Sequence, residues 1–112
     1  MDIIPYSQFE QVELRVGRVI AVADFPEARK PAYILTIDFG ADIGTRKSSA
    51  QITEKYAKEE LMNRLVVCVV NFAAKQIGPL LSKCLVCGTN DAEGRVTLLH
   101  VDAGVPLGSK IY

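Results

Sequence analysis

The chain has 112 residues, 49% of them hydrophobic, which is typical of one globular domain with a modest core. Its 13 basic residues balance its 13 acidic residues, so the net charge does not indicate a nucleic-acid, membrane or acidic partner, although it does not exclude a local basic patch. No apolar run approaches the roughly 20 residues of a membrane span, and the acidic, polar N-terminus is unlike a secretory signal. We therefore expect a single domain, residues 1–112, that is cytoplasmic and does not insert into membranes.

Six segments have the alternating or Val- and Ile-rich pattern that is typical of β-strands. In chain order they are 14–25, 33–40, 45–52, 65–72, 83–88 and 95–101. Because side chains alternate along a strand, one face of the first strand is expected to carry Leu14, Val16, Ile20 and Val22. By the same rule, one face of the second is expected to carry Tyr33, Leu35, Ile37 and Phe39. Gly17 suits a bend in the first strand.

Residues 53–63, with the sequence TEKYAKEELMN, are the one helix candidate, and Thr53 is a suitable N-cap. The order strand–strand–strand–helix–strand–strand predicts a small closed or nearly closed β-barrel. It is also the order of the OB-fold, which binds oligonucleotides on one strand face and the adjoining loops. We therefore expect an all-β, five-stranded barrel with one short helix between strands 3 and 4 and with N- and C-terminal extensions.

Catalytic and metal-binding patterns are scarce in the sequence. Cys84 and Cys87 form either a redox or metal pair or two core thiols; strand positions three apart face opposite ways, which favours core thiols. The odd number of cysteines suits a reducing compartment. His100 has no nucleophile or ligand near it in sequence. We therefore expect no enzyme, no metal site and no cofactor.

Six ordered segments resemble the tRNA-binding domain family, and they look most like its free-standing CsaA branch. They are ELRVGRV (13–19), FPEARKP (25–31), IDFG (37–40), RKSSAQI (46–52), NFAAKQIGPLLS (71–82) and VPLGSKI (105–111). The resemblance implies the OB-fold, binding of tRNA or other structured RNA, and a homodimer. For the CsaA branch it also implies chaperone-like binding of unfolded or presecretory polypeptides in protein export.

The segment 71–82 departs from the pattern of the synthetase-appended members of this family. Gln76 stands where those members have a basic residue, Ile77 where they have methionine, and Pro79 where they have glycine. A methionine expected shortly after this segment is Leu85. These departures favour the CsaA branch over synthetase-style tRNA binding.

The polar strand 45–52 and the hairpin 71–82 predict a basic and polar RNA-binding face, provided that they lie side by side. Basic side chains would contact phosphates, and uncharged polar groups would bind unpaired bases or 2′-hydroxyls. The predicted RNA-binding residues are Arg29, Lys30, Arg46, Lys47, Ser49, Asn71, Lys75, Gln76 and Ser82. Phe25 is the best candidate for base stacking, whereas Phe72 is expected in the core.

The same face suits a polypeptide, because apolar residues surround its polar groups. The candidate peptide contacts are Phe72, Ile77, Leu80 and Leu81. Leu80 and Leu81 could also form a dimer contact or fold back into the core. The apolar terminal segments DIIPYSQFEQ and VPLGSKIY predict a homodimer, because a small barrel gains stability by burying them against a second copy.

Overall fold

A computed structural model describes all 112 residues of the chain. It contains nine strands and two short helices. The strands are β1 (Leu14–Asp24), β2 (Tyr33–Asp38), β3 (Thr45–Ala50), β4 (Leu65–Val69), β5 (Lys75–Ile77), β6 (Leu80–Ser82), β7 (Leu85–Val86), β8 (Gly88–Asn90) and β9 (Val96–Leu98). The helices are α1 (Tyr6–Glu10) and α2 (Lys58–Leu61). No helix is long and apolar enough to cross a membrane.

Five of the strands form one antiparallel sheet in the order β3-β2-β1-β4-β7. The long strand β1 pairs with β4 through its first half and with β2 through its second, and a β-bulge lies between Val19 and Ala21. A bulge bends a strand and increases its twist, which lets the sheet curl. The curled sheet closes where the Lys83 N–H donates to the Lys47 carbonyl at 2.9 Å. This nearly closed barrel, with one short helix between β3 and β4, is an OB-fold and confirms the predicted fold class.

The core lies inside the barrel, and β2 supplies much of it. Leu35, Ile37 and Phe39 are fully buried, and Tyr33 packs against them, so the predicted face of β2 is confirmed. The predicted face of β1 is confirmed only in part. Gly17 and Val19 face the core, whereas Ile20, which was expected on the same face as Val22, is 42% exposed. The bulge after Val19 then shifts the alternation by one residue, so that Val22 packs against the core as predicted.

Gly17 allows β1 to pack directly on the core face of β2. A Cβ atom at this position would lie 2.5 Å from Ile37 Cγ2 and 2.8 Å from Phe39 Cε1. No side chain larger than hydrogen fits without moving the strand. Gly17 is therefore required by close packing within the barrel.

The helix α2 is shorter than the sequence predicted. It has four residues, and it begins after Ala57, whose extended backbone donates an N–H to Glu60 Oε1 at 2.9 Å. Thr53 is therefore not its cap. Tyr56 turns into the barrel instead of extending the helix, and its hydroxyl accepts the Leu98 N–H at 3.0 Å.

The remaining strands form two hairpins, β5–β6 and β8–β9. The predicted strand 83–88 is divided between β7 and β8, and the predicted strand 95–101 is shortened to β9. The helix α1 was not predicted. The C-terminal segment lies along β1, where Gly108 N–H donates to Val16 O at 2.8 Å and Ile111 N–H to Leu14 O at 2.9 Å.

Candidate functional site

A groove lies between β3, the β5–β6 hairpin and β7. Its volume is about 410 Å³, and nine of its 14 lining residues are hydrophobic. Ser49, Lys75 and Ser82 of the predicted RNA-binding set line it, together with Phe72 and Ile77 of the predicted peptide set. The strand 45–52 and the hairpin 71–82 therefore do lie side by side.

A side-chain hydrogen bond joins the two walls of the groove. The backbone N–H of Ser49 on β3 donates to the Oγ of Ser82 on β6 at 3.3 Å. The Ser82 hydroxyl hydrogen remains available to an acceptor in the groove, because a hydroxyl both accepts and donates. Sequence order could not show this link, because 33 residues separate the two serines.

The groove is positively charged. Lys75 and Lys83 line it, no Asp or Glu does, and neither lysine belongs to an ion pair. Lys47 is exposed two residues before Ser49 on the same face of β3. A concave surface whose only charged side chains are cations attracts anionic groups. Lys83 was missed in the sequence, although it follows directly on the hairpin that was singled out.

The accessible aromatic ring in this region is Phe72. Its side chain is 58% exposed, so the expectation that it belongs to the core is wrong. Phe25 is only 4% exposed and packs with Ala32 and Leu80, so the expectation that it stacks on bases is also wrong. The loop after β1 folds over the β5–β6 hairpin and covers Phe25, a contact that depends on the tertiary fold.

The hairpin divides its apolar residues between two sides. Leu80 is 8% exposed and folds back into the small core around Phe25, which removes it from the candidate peptide contacts. Leu81 is 43% exposed, and Ile77 is half-buried where it lines the groove. Gln76 stabilises the turn itself, because its Nε2 donates to the Gly78 carbonyl at 2.8 Å and to the Leu80 carbonyl at 3.2 Å.

Asn71 and Arg46 bind backbone groups of the chain and do not line the groove. Asn71 Nδ2 donates to the Gln11 carbonyl at 2.7 Å, and its Oδ1 accepts the Glu13 N–H at 3.0 Å. The guanidinium of the half-buried Arg46 donates to the carbonyls of Val70 and Lys83. Each side chain thus ties one strand of the barrel to another segment, and the RNA contacts assigned to both from sequence stay predictions.

Arg29 and Lys30 lie in the exposed loop between β1 and β2. Lys30 lines a depression of about 320 Å³ that shares Gln51, Ile52 and Val96 with the groove. A ligand lying in the groove could therefore extend towards Lys30. Arg29 is exposed and lies outside both surfaces.

Cys84 lies at the groove, and the thiol next to it is that of Cys68 on β4 and not that of Cys87, its neighbour in sequence. The Cys84 thiol donates to the Lys47 carbonyl at 4.0 Å, and the Cys87 thiol donates to the Leu85 carbonyl at 3.9 Å. Hydrogen bonding from the neighbouring Cys68 thiol to the Cys84 thiolate lowers the pKa of Cys84, as does the nearby Arg46 charge, while the same interaction and burial raise the pKa of Cys68. No three His, Cys, Asp or Glu side chains are grouped in a way that could hold a metal ion.

A comparison with known protein families identifies the family to which the chain belongs. The family described as "Putative tRNA binding domain" matches residues 14–110. The chain therefore belongs to the tRNA-binding domain family, as the six ordered segments indicated.

Individual relatives fall into two groups. The methionine–tRNA ligase of Pyrococcus furiosus is 34% identical over 111 residues, which cover 99% of this chain but 15% of the ligase. The chain thus spans about 15% of the length of that ligase. The crystal structure of the CsaA chaperone protein from Picrophilus torridus matches with a TM-score of 0.91 and 48% identity, covering 98% of this chain and 100% of that one. The chaperone CsaA of Bacillus anthracis matches with a TM-score of 0.91 and 40% identity, covering 99% and 100%.

Proposed function

We propose that the chain is a non-enzymatic, cytoplasmic protein that binds tRNA or similarly structured RNA through the groove and the lysines around it. The observation that carries the proposal is the exposed ring of Phe72 beside Lys75 and Lys83, in a groove without an acidic side chain. Membership of the tRNA-binding domain family supports it. The ligase relatives align over only 14% to 17% of their length, so their catalytic activity is not carried over.

Each part of the groove suits one part of an RNA strand. Lys75 and Lys83 would contact phosphates, and the exposed Lys47 would extend this path along β3. An unpaired base would stack on Phe72, since stacking requires an accessible ring and tolerates any base. The serine hydroxyls at the groove wall would hydrogen-bond a base edge or a 2′-hydroxyl.

The first test is a titration with bulk tRNA at two salt concentrations, with duplex DNA as competitor. We expect saturable tRNA binding that duplex DNA does not displace and that weakens as the salt concentration rises. Replacing Lys75 and Lys83 with Gln should lower the slope of log affinity against log salt by about one for each phosphate that the variant no longer binds. The control variant, Lys58→Gln with Arg95→Gln, removes the same charge elsewhere and should change the slope little. Equal slopes for the two variants would count against the groove.

The stacking role of Phe72 is tested separately. Phe72→Ala should weaken binding by about 1–3 kcal/mol, or roughly 5- to 150-fold, if a base stacks on this ring. Phe72→Tyr keeps an aromatic face and should retain most of the affinity. An affinity that is the same for Ala and Tyr variants would show that no base stacks here.

A second candidate ligand is an unfolded or presecretory polypeptide. Phe72 and Leu85 are 58% and 51% exposed at a groove with a mainly hydrophobic lining, and Leu81, on the β5–β6 hairpin outside that lining, is 43% exposed. Two structural relatives carry the name CsaA chaperone. If this candidate is right, the protein suppresses aggregation of an unfolded test protein, and Leu81→Ser with Leu85→Ser removes the effect. If an equimolar amount of the protein does not suppress aggregation of the test protein, RNA remains the proposed ligand.

We also propose that the protein is a homodimer. Ile3, Ile4 and Tyr6 are 98%, 59% and 63% exposed in the N-terminal segment. An open cavity of about 500 Å³ beside β9 has six hydrophobic residues among seven, including the 44% exposed Leu99. A second copy would cover both apolar surfaces at once. Sedimentation equilibrium at micromolar concentration should give the mass of two chains, and Leu99→Asp should shift it towards one; a mass of one chain for the unchanged protein would end the proposal.

A further inference from the structure

A second concave surface, here named the arginine pocket, lies at the far end of β4 from the groove. Its volume is about 300 Å³, and its lining includes Arg18, Asn63, Arg64 and His100. Leu65, the first residue of β4, also lines it, whereas the groove lies beyond the last residue of this strand. At about 3.3 Å per residue, the strand separates the two surfaces by roughly 15 Å.

The two guanidinium groups of the arginine pocket have no carboxylate partner. Neither Arg18 nor Arg64 belongs to any of the six ion pairs in the structure, and no Asp or Glu lines the pocket. Arg18 uses one N–H to reach the Asn63 carbonyl at 2.9 Å. Because a guanidinium has five N–H donors, most of the donors in the pocket remain free for a ligand.

Contacts within the chain hold both guanidinium groups in place. Arg64 lies over the ring of Tyr56 with its Cζ 4.9 Å from the ring centroid, and that ring is buried in the barrel. Asn63 has a left-handed backbone, with φ of 65°, and its N–H donates to the Val19 carbonyl at 2.9 Å. This fixes the carbonyl that Arg18 binds. Donors that are already positioned lose less conformational entropy when a ligand binds.

We propose that the arginine pocket binds a phosphate group. Two planar guanidinium groups without a carboxylate match the charge and the paired acceptors of a phosphate. The phosphate belongs either to the RNA backbone, in which case this second contact rests on the proposed function, or to a free phosphate compound. The recognition chemistry is the same for both sources.

The deciding experiment is an NMR titration of the full chain with inorganic phosphate, with sodium chloride at matched ionic strength as the control. The Nε–H signals of Arg18 and Arg64 should shift saturably with phosphate and not with chloride. Arg18→Gln should abolish the shift of Arg64. Arg64→Lys keeps the charge but loses the paired donors, and it should weaken binding severalfold. Shifts that do not saturate, or that are unchanged in both variants, would overturn the proposal.

A tRNA titration of the same variants identifies the source of the phosphate. If the phosphate is part of RNA, Arg18→Gln lowers the salt slope by about one, while Arg95→Gln does not. If Arg18→Gln leaves the tRNA affinity unchanged and the parent protein binds inorganic phosphate, the pocket takes a free phosphate compound. If the groove variants leave tRNA binding intact, the proposed RNA site fails while the phosphate titration still decides the pocket. Thermal melting and sedimentation of each variant confirm that fold and assembly are retained.

Discussion

Asn71→Ala separates a structural role from a role in RNA binding. The Asn71 amide joins the end of β4 to the segment before β1, through the Gln11 carbonyl and the Glu13 N–H. Alanine removes both hydrogen bonds and leaves the adjacent backbone bond from Val70 N–H to Glu13 O in place. We therefore expect the variant to fold, with its N-terminal segment less firmly attached.

The magnitude follows from the two hydrogen bonds that alanine cannot make. Each contributes about 0.5–1.5 kcal/mol net, which gives about 1–3 kcal/mol for the pair. Asn71 is exposed, so water can replace its partners, and the lower part of the range applies: about 1–2 kcal/mol. At roughly 4 °C per kcal/mol for a chain of this size, the melting temperature should fall by about 4–8 °C.

Urea unfolding of Asn71→Ala checks the expectation, with Asn90→Ala as the matched control. Asn90 is an exposed asparagine on β8 whose side chain makes no hydrogen bond, so its removal should leave the midpoint unchanged. Below the transition, tRNA affinity of Asn71→Ala should stay within roughly two-fold of the parent. An unchanged urea midpoint together with a large loss of tRNA affinity would refute this reasoning and make Asn71 a direct RNA ligand.

Three further predictions concern packing and ionisation. Gly17→Ala should destabilise the barrel by about 1–3 kcal/mol in urea unfolding, because its Cβ overlaps the core. The Arg95 N–H is the main cause that lowers the Asp91 pKa from 3.8 to about 2. The stability that this carboxylate contributes is therefore complete above pH 3.8 and is lost as the pH falls towards 2, and Asp91→Asn should flatten this part of the stability–pH profile. Cys68→Ala should raise the pKa of Cys84, measured as thiolate absorbance against pH, because it removes the hydrogen bond from the Cys68 thiol.

Each of these predictions has a matched comparison. In Gly44→Ala the new Cβ atom has no other atom within 4 Å, so this variant reports only the strain of alanine at a left-handed backbone position. An unchanged urea midpoint for Gly17→Ala would contradict the packing explanation. Asp102→Asn removes a surface carboxylate that makes no ion pair and should leave the acid profile unchanged. Cys68→Ser keeps a donor, so a Cys84 pKa that rises equally with Ser and Ala would exclude the hydrogen bond as its cause.

The sequence by itself determined the order of strands and helix along the chain and the buried face of β2. These features depend on local alternation and on turn residues, which remain the same wherever the strands are placed. The six family segments added the fold and the family, because their order and spacing span nearly the whole chain. Ser49, Lys75 and Ser82 were found in this way, and they do line one groove.

The tertiary structure alone decided which of these side chains are accessible. Phe25 and Phe72 both follow apolar strands, yet a loop covers the first and leaves the second open. The bulge after Val19 interrupts the alternation of β1, because one extra residue moves all later side chains to the other side. Val19 and Val22 therefore both pack in the core while Ile20 is exposed. Contacts between residues far apart in sequence depend on how the barrel closes, and local patterns do not encode them. The same is true of the arginine pocket, where Arg18 and Arg64 meet only because β1 pairs with β4.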